Sequence, residues 1–414
     1  MTFKNKTLKI LIISPYSVPF PGAPWRRIEY FANFLSDRGG YVIVIGAITL
    51  RRDLLKILKD AKKYYKFRIF NFFFYINLLN WLAIILNLLG SFPLVIIILI
   101  LKPEIILVSI PYLELLPITF LAAKLINSRF IVDIRDPLEY WVYWSTSLTR
   151  KFYSLINLIN YAVLSKSDLN VTVTFGLARL LAKRGIRAEV VVNGADIRVF
   201  RPYHACASEA RRKLCLSDNA VVLVFSGRLG GYYDATPLLQ AVARLPAELK
   251  KKVVLLLVGG FGDAIYAKKF IRVAKELRLF ENIKVLQPIL DARTLAEVLS
   301  AANAGVVTHV ASELYDPAIP VKFYEYLACE LPVIALTRRG SELWRLITKW
   351  GVGFACEPHD LDCITKALEK IFDESTMESI RANVLRVRPL IDRRRAAEKL
   401  YNLLCELLEP RRDA

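Results

Sequence analysis

Along most of the chain, short apolar runs alternate with stretches whose apolar residues recur at helical spacing. Residues 8–14 are Ile-rich and end at Pro15, the pattern of a strand buried on both faces. A Pro/Gly loop follows over 15–24. Then Ile28, Phe31, Ala32 and Leu35 keep one helix face apolar up to Gly39-Gly40, where a helix can stop. Residues 41–45 read as the next strand, and β-loop-α-β opens a doubly wound sheet. Buried strands are predicted at 105–109, 130–134, 169–174 and 189–192, most of them followed by helical spacing. The second half repeats this grammar, with strands at 221–226, 253–258, 283–285, 304–308 and 333–336. The pattern breaks into a polar segment near Arg201-Pro202. The predicted organisation is therefore an α/β domain over 1–200, a second over 201–390, and a closing segment over 391–414. That segment carries a helical run from about Asp392 to Leu408, predicted to pack back across the domain seam.

One stretch departs from the alternation. No charged residue occurs between Arg68 and Lys102, so the apolar stretch 69–101 is long enough to span a bilayer. Asn77, Asn80 and Asn87 would share one helical face, and Gly90 with Pro93 divides the run. Three arrangements follow: a helix lying in a membrane interface, a helix buried in the domain, or a transmembrane hairpin.

Composition narrows the class. With 414 residues and 55% hydrophobic content, the chain can bury two cores. Lys+Arg of 58 against Asp+Glu of 38 gives a net charge of +20. That surplus suits anionic lipid headgroups, phosphorylated substrates or nucleic acid, or else a heat-adapted surface. The basic residues are dispersed and no nucleic-acid-reading motif appears, so nucleic acid is not expected as a partner. Six cysteines, none in a C-x-x-C pair, and scarce histidine argue against zinc. Reduced thiols in a cytoplasmic protein are the expected state. The charged N-terminal residues 1–9 lack a signal-peptide apolar region.

Three segments carry chemistry. The first is Val191-Val192-Asn193-Gly194-Ala195-Asp196 with Phe200 and Pro202. The second is Phe225-Ser226-Gly227-Arg228-Leu229-Gly230. The third is Pro320-Val321-Lys322-Phe323-Tyr324-Glu325-Tyr326-Leu327-Ala328, then Pro332-Val333-Ile334-Ala335. In order and spacing they resemble the retaining GT-B glycosyltransferases of the family 4, group 1 type. The resemblance implies two Rossmann-like domains facing across a cleft, a C-terminal helix crossing back, and metal-independent transfer from a nucleotide-sugar. No cofactor or metal is implied, since the nucleotide-sugar is a co-substrate. The implied partners are a UDP- or GDP-linked donor, a lipid-linked or polysaccharide acceptor, and an anionic membrane surface on the cytoplasmic face. A nucleotide-sugar epimerase of the same fold and a non-catalytic membrane scaffold are the alternatives.

The residues bear the same reading. A carboxylate at Glu325 can accept from both ribose hydroxyls, the role of the family's matching glutamate, or it can be an acid suiting a helix N-terminus. Lys322 and Arg228 are the natural cations for a leaving diphosphate, or else surface charges on loops. Gly227 permits close backbone approach. Pro320 and Val321 turn the chain into the Glu325 helix. Gly260, in the turn 259–263, is placed beneath the base and phosphates, or in a plain β-α turn. Gly22 and Ala23 stand at the family's phosphate-touching glycine loop. Arg26 and Arg27 open a helix against its dipole, so they either await an acceptor anion or are solvated. After the strand 130–134, Asp136 is the choice for a sugar or acceptor hydroxyl and Arg135 for an acceptor phosphate. An Asp-Arg pair that stabilises the loop is the other reading of this segment. Two departures stand out. Pro317 occupies the place of a first glutamate eight before Glu325, with Glu313 and Asp316 near it. Tyr232-Tyr233-Asp234 replaces a usual lysine. Asp360-Leu361-Asp362 reads as a helix cap. His204, His309 and His359 are scattered and not expected to be catalytic.

Overall fold

The computed structural model describes residues 8–16, 18–19, 22–48, 65–76, 81–110 and 114–409. The chain divides into two compact units, Met1–Val192 with Ala396–Ala414, and Asn193–Arg395. In the first unit the strands are β1 (Lys9–Ile13), β2 (Tyr41–Ala47), β3 (Arg68–Phe73), β4 (Ile105–Ile110), β5 (Arg129–Ile134), β6 (Leu169–Thr172) and β7 (Glu189–Val190). They form one sheet in the order β3-β2-β1-β4-β5-β6-β7, parallel throughout. The chain order reverses between β1 and β4, the place where such sheets open a crevice at their carboxyl ends. Alternate residues of each strand feed opposite faces. Leu11, Ile13, Ile106 and Val108 pack with Leu94, Ile98, Leu116 and Ile156. Ile10, Ile12, Ile105 and Leu107 pack with Ile28, Leu35, Leu400 and Leu404.

The second unit repeats the design with β8 (Val221–Ser226), β9 (Val253–Val258), β10 (Ile283–Leu286), β11 (Ala304–Thr308), β12 (Val333–Leu336) and β13 (Gly353–Cys356). Their order is β10-β9-β8-β11-β12-β13, again parallel. The doubly wound α/β expectation therefore holds in both units.

The division after Val192 falls earlier than the predicted break at 200. The reason is local: Asn193-Gly194-Ala195 binds the segment before the last helix. Ala195 N donates to Ile391 O at 2.9 Å, and Arg393 Nε donates to Asn193 O at 3.0 Å. A Cβ on Gly194, whose φ is 56°, would lie 2.6 Å from Ile391 O. The last helix, Arg393–Leu408, starts in the second unit and finishes in the first, where Tyr401 meets Phe34 edge-on at 6.4 Å.

Two expectations are corrected. The 69–101 stretch is not one helix. It supplies edge strand β3 and two helices, Trp81–Gly90 and Phe92–Leu101, whose Ile84, Leu94 and Ile98 enter the core. Asn87 does not belong to an outward polar stripe. It is buried, donating to Ile76 O at 3.1 Å and accepting from Ile76 N at 2.7 Å. Asn77 and Asn80 lie outside the described residues. Nor are all the thiols reduced. Cys356 at the end of β13 and Cys363 in the next helix form a disulfide across seven positions. Asp360 caps that helix by accepting from Cys363 N at 2.9 Å, as expected, while Asp362 pairs with Arg244.

Candidate active site

In the second unit the loops after β8 and β9 are stitched together. Gly227 N donates to Val258 O at 2.7 Å, and Leu229 N to Gly260 O at 2.9 Å. A Cβ on Gly259 would stand 2.6 Å from Gly227 O, so only glycine lets the two loops approach. Gly227 itself has φ 125°, and Gly260 has φ 67°. Arg228 projects from this junction, solvent-exposed.

Beside it begins the helix Val321–Ala328, with Pro320 at its N-cap. The helix is held to the end of β8 by Tyr326, whose hydroxyl accepts from Ser226 N at 2.7 Å. Gly305 in β11 makes room for that ring, since a Cβ there would fall 2.2 Å from it. Lys322, one turn before Tyr326, is buried with its Nζ 3.7 Å from the ring centroids of both Phe225 and Tyr233. Among the described residues that ammonium has no hydrogen-bond partner. Burial pulls its pKa well below the usual lysine value, with the Glu325 charge opposing. Glu325 is buried in the second turn of the helix rather than at its exposed start. An acid that merely complements a helix dipole does not need that burial.

His309, which sequence reasoning set aside, follows β11 into this cluster. Its ring stacks on Tyr233 at 5.7 Å, its backbone N–H donates to Leu336 O at 2.7 Å, and its Nδ1 lacks a partner among the described residues. Burial pushes its pKa down to about 3, and the nearby Lys322 charge adds to the effect. The signal available in the sequence was its position just past a predicted strand's carboxyl end. The two departures from the family pattern also acquire a geometry. Tyr233 stands over Lys322 where the usual loop lysine is missing. Glu313 and Asp316 are both tied to Arg338 at 3.2 Å.

In the first unit, Gly22 with φ 136° precedes the helix Ala23–Asp37, and Arg26 is half-buried in its first turn. Arg27 is not a cation awaiting an anion. It is fully buried and bidentate on Asp133, with Nη2 to Oδ1 at 2.8 Å and Nε to Oδ2 at 3.1 Å. Its Nη1 donates to Val192 O, and Ser109 donates to the same Asp133 carboxylate at 3.0 Å. This ionic knot joins the first helix to the switch-point strands. Arg135 differs: its Nε donates to Ile110 O at 3.2 Å, but its buried Nη2 has no partner among the described residues. Asp136 stands just past β5. The residue is exposed as a whole, yet crowding around its carboxyl desolvates it and raises its pKa above the ordinary aspartate value, with Arg135 opposing.

Residues 207–384 match the family described as "Glycosyl transferases group 1". A D-inositol 3-phosphate glycosyltransferase of Stackebrandtia nassauensis is 31% identical over 222 residues, 51% of this chain and 48% of that protein. The chain spans about half the length of the curated relatives it matches. Among solved structures, a sucrose-phosphate synthase from Thermosynechococcus elongatus superposes with TM-score 0.76 at 18% identity, covering 97% of this chain and 99% of that one. The Anabaena protein HepE in complex with UDP and glucose gives 0.74 at 18% identity, covering 96% and 100%.

Proposed function

We propose that the chain, which has the GT-B fold and matches the glycosyl transferases group 1 family over residues 207–384, moves a sugar from a UDP- or GDP-linked donor to a lipid-linked glycan, with retention of configuration. In this reading the bond between the anomeric carbon and the diphosphate oxygen breaks, and its electron pair leaves on the nucleoside diphosphate. An acceptor hydroxyl oxygen bonds that carbon, and its proton passes to the oxygen of the departing diphosphate. Lys322 and Arg228 neutralise the charge growing on the diphosphate, which is where preorganised cations lower the barrier most. Glu325 accepts from the ribose hydroxyls, and the turn at Gly260 lies beneath the nucleotide. In the first unit, Asp136 receives a sugar or acceptor hydroxyl, and Arg135 and Arg26 hold an acceptor phosphate. Arg27 is withdrawn from that group because its carboxylate partner is already in place. The reaction takes place on the cytoplasmic face of a membrane.

The observation that carries the proposal is the Lys322 ammonium. It is buried at the carboxyl ends of the strands, beside a glycine turn, and among the described residues its Nζ has no hydrogen-bond partner. A cation costs free energy in such a place unless a charged ligand completes it. The test is product analysis. Purified protein incubated with UDP- or GDP-sugars and polyprenyl-diphosphate glycans should release nucleoside diphosphate only when an acceptor is present. Isomerised sugar nucleotide without acceptor would identify an epimerase instead.

A further inference from the structure

We propose that the outer face of the helix layer on the first unit is a docking surface for an anionic lipid bilayer, entered by side chains and not crossed by the chain. Three independent observations support it. First, the helices Trp81–Gly90, Phe92–Leu101, Leu115–Leu125 and Ser147–Lys166 are neighbours in one layer. Trp81 stacks on Phe152 at 6.0 Å to join its two ends. Their inner residues fill one core, which holds the layer against the sheet. Second, the outer side of the same helices is apolar. Leu89, Ile96, Ile100, Leu125, Leu155 and Leu158 all face solvent, Ile100 at 73%, Leu125 at 72% and Leu158 at 68% exposure. Scattered leucines on a surface are ordinary, but four adjacent helices presenting them together form a patch. Third, these helices contain no Asp or Glu, while Lys124, Arg150, Lys151 and Lys166 lie on two of them. Lys124 pairs with Asp168 at 3.7 Å, and the other three cations have no acidic residue on these helices. An apolar surface bordered mainly by cations fits a bilayer of acidic headgroups: the side chains enter the acyl boundary and the cations remain at the headgroups.

Trp81–Leu101 is long and apolar enough to cross a membrane by length and composition. The packing of Ile84, Leu94 and Ile98 into the core holds it on the unit instead, so this docking is monotopic. The surface belongs to the face of the sheet, whereas the switch-point residues belong to the strand ends. Docking therefore leaves the switch-point residues accessible. The inference rests on this face and not on the proposed reaction.

The experiment is flotation of the whole protein with vesicles of pure phosphatidylcholine and of phosphatidylcholine mixed with phosphatidylglycerol, at low and high salt. The wild type should float with the mixed vesicles at least about tenfold more than with the neutral ones, and part of the binding should survive high salt because the apolar contact is not screened. The double variant Leu155→Glu, Leu158→Glu should lose flotation while keeping the thermal shift given by UDP or GDP. That retained shift shows the variant is folded and separates this inference from the nucleotide reading. If UDP and GDP give no shift with the wild type either, an unchanged melting temperature of the variant serves the same purpose. A wild type that does not float, or a variant that floats equally, would overturn the inference. So would a wild-type dimer in vesicle-free light scattering that the double variant disperses, since the face would then bind a second copy of this chain.

Discussion

Holding Lys322 buried between Phe225 and Tyr233, with no hydrogen-bond partner for its Nζ among the described residues, burdens the unliganded fold, and that burden has a sign that can be measured. A lysine whose folded pKa is depressed binds fewer protons folded than unfolded, so stability rises with pH between the depressed value and about 10.4. Lys322→Met should flatten that rise and melt no lower than the wild type at neutral pH. The same variant should weaken nucleoside diphosphate binding about 10- to 100-fold, the worth of one charge-assisted hydrogen bond. His309 acts over another window. Its pKa near 3 lies below its unfolded value, so its contribution is present above about 6.5 and is lost as pH falls toward 3. Acid titration of His309→Gln by circular dichroism should show a shallower loss over that interval. Arg27 gives a structural contrast. Removing one partner of a buried, bidentate pair costs about 3–5 kcal/mol, so Arg27→Ala should lower the denaturation midpoint sharply. A stable Arg27→Ala that has lost only activity would contradict the structural role given to Arg27.

At the scale of elements, the disulfide ties β13 to the helix Leu361–Lys370 through a short loop. Cys363→Ser should cost about 2 kcal/mol in urea unfolding, and a non-reducing peptide map should show the Cys356–Cys363 link. The strands easiest to read were those buried on both faces. The runs at 221–226, 253–258, 304–308 and 333–336 coincide with β8, β9, β11 and β12 because a continuous apolar run has no other place in a parallel sheet. The two missed strands are edges. In β3, Arg68 and Asn71 interrupt the run, and the segment merges with the uncharged stretch beyond it. In β13 the run is four residues, opened by Gly353. The site was legible where residues sit in a contiguous motif, as with Gly227, Lys322 and Glu325. It was not legible where partners come from distant strands. Asp133 claims Arg27 across 106 positions, and His309 reaches Tyr233 from another loop. Local spacing carries no information about such meetings.

At the scale of the whole molecule, two parallel sheets of seven and six strands divide the work proposed for them. The second unit offers the proposed nucleotide half-site, in which glycine turns, a caged lysine and a buried glutamate converge. The first offers Arg135, whose Nη2 has no partner among the described residues, Asp136, and an apolar helix layer on its sheet face. The claim that unites these parts is that the Lys322 and Glu325 helix receives a nucleoside diphosphate. Isothermal titration of UDP and of GDP into the wild type, Lys322→Met and Glu325→Ala tests it most directly. The account predicts one-to-one binding of one of the two nucleotides by the wild type, and a loss of about tenfold or more in each variant at unchanged melting temperature. Binding of neither nucleotide by the wild type, or equal binding by Lys322→Met, would contradict it.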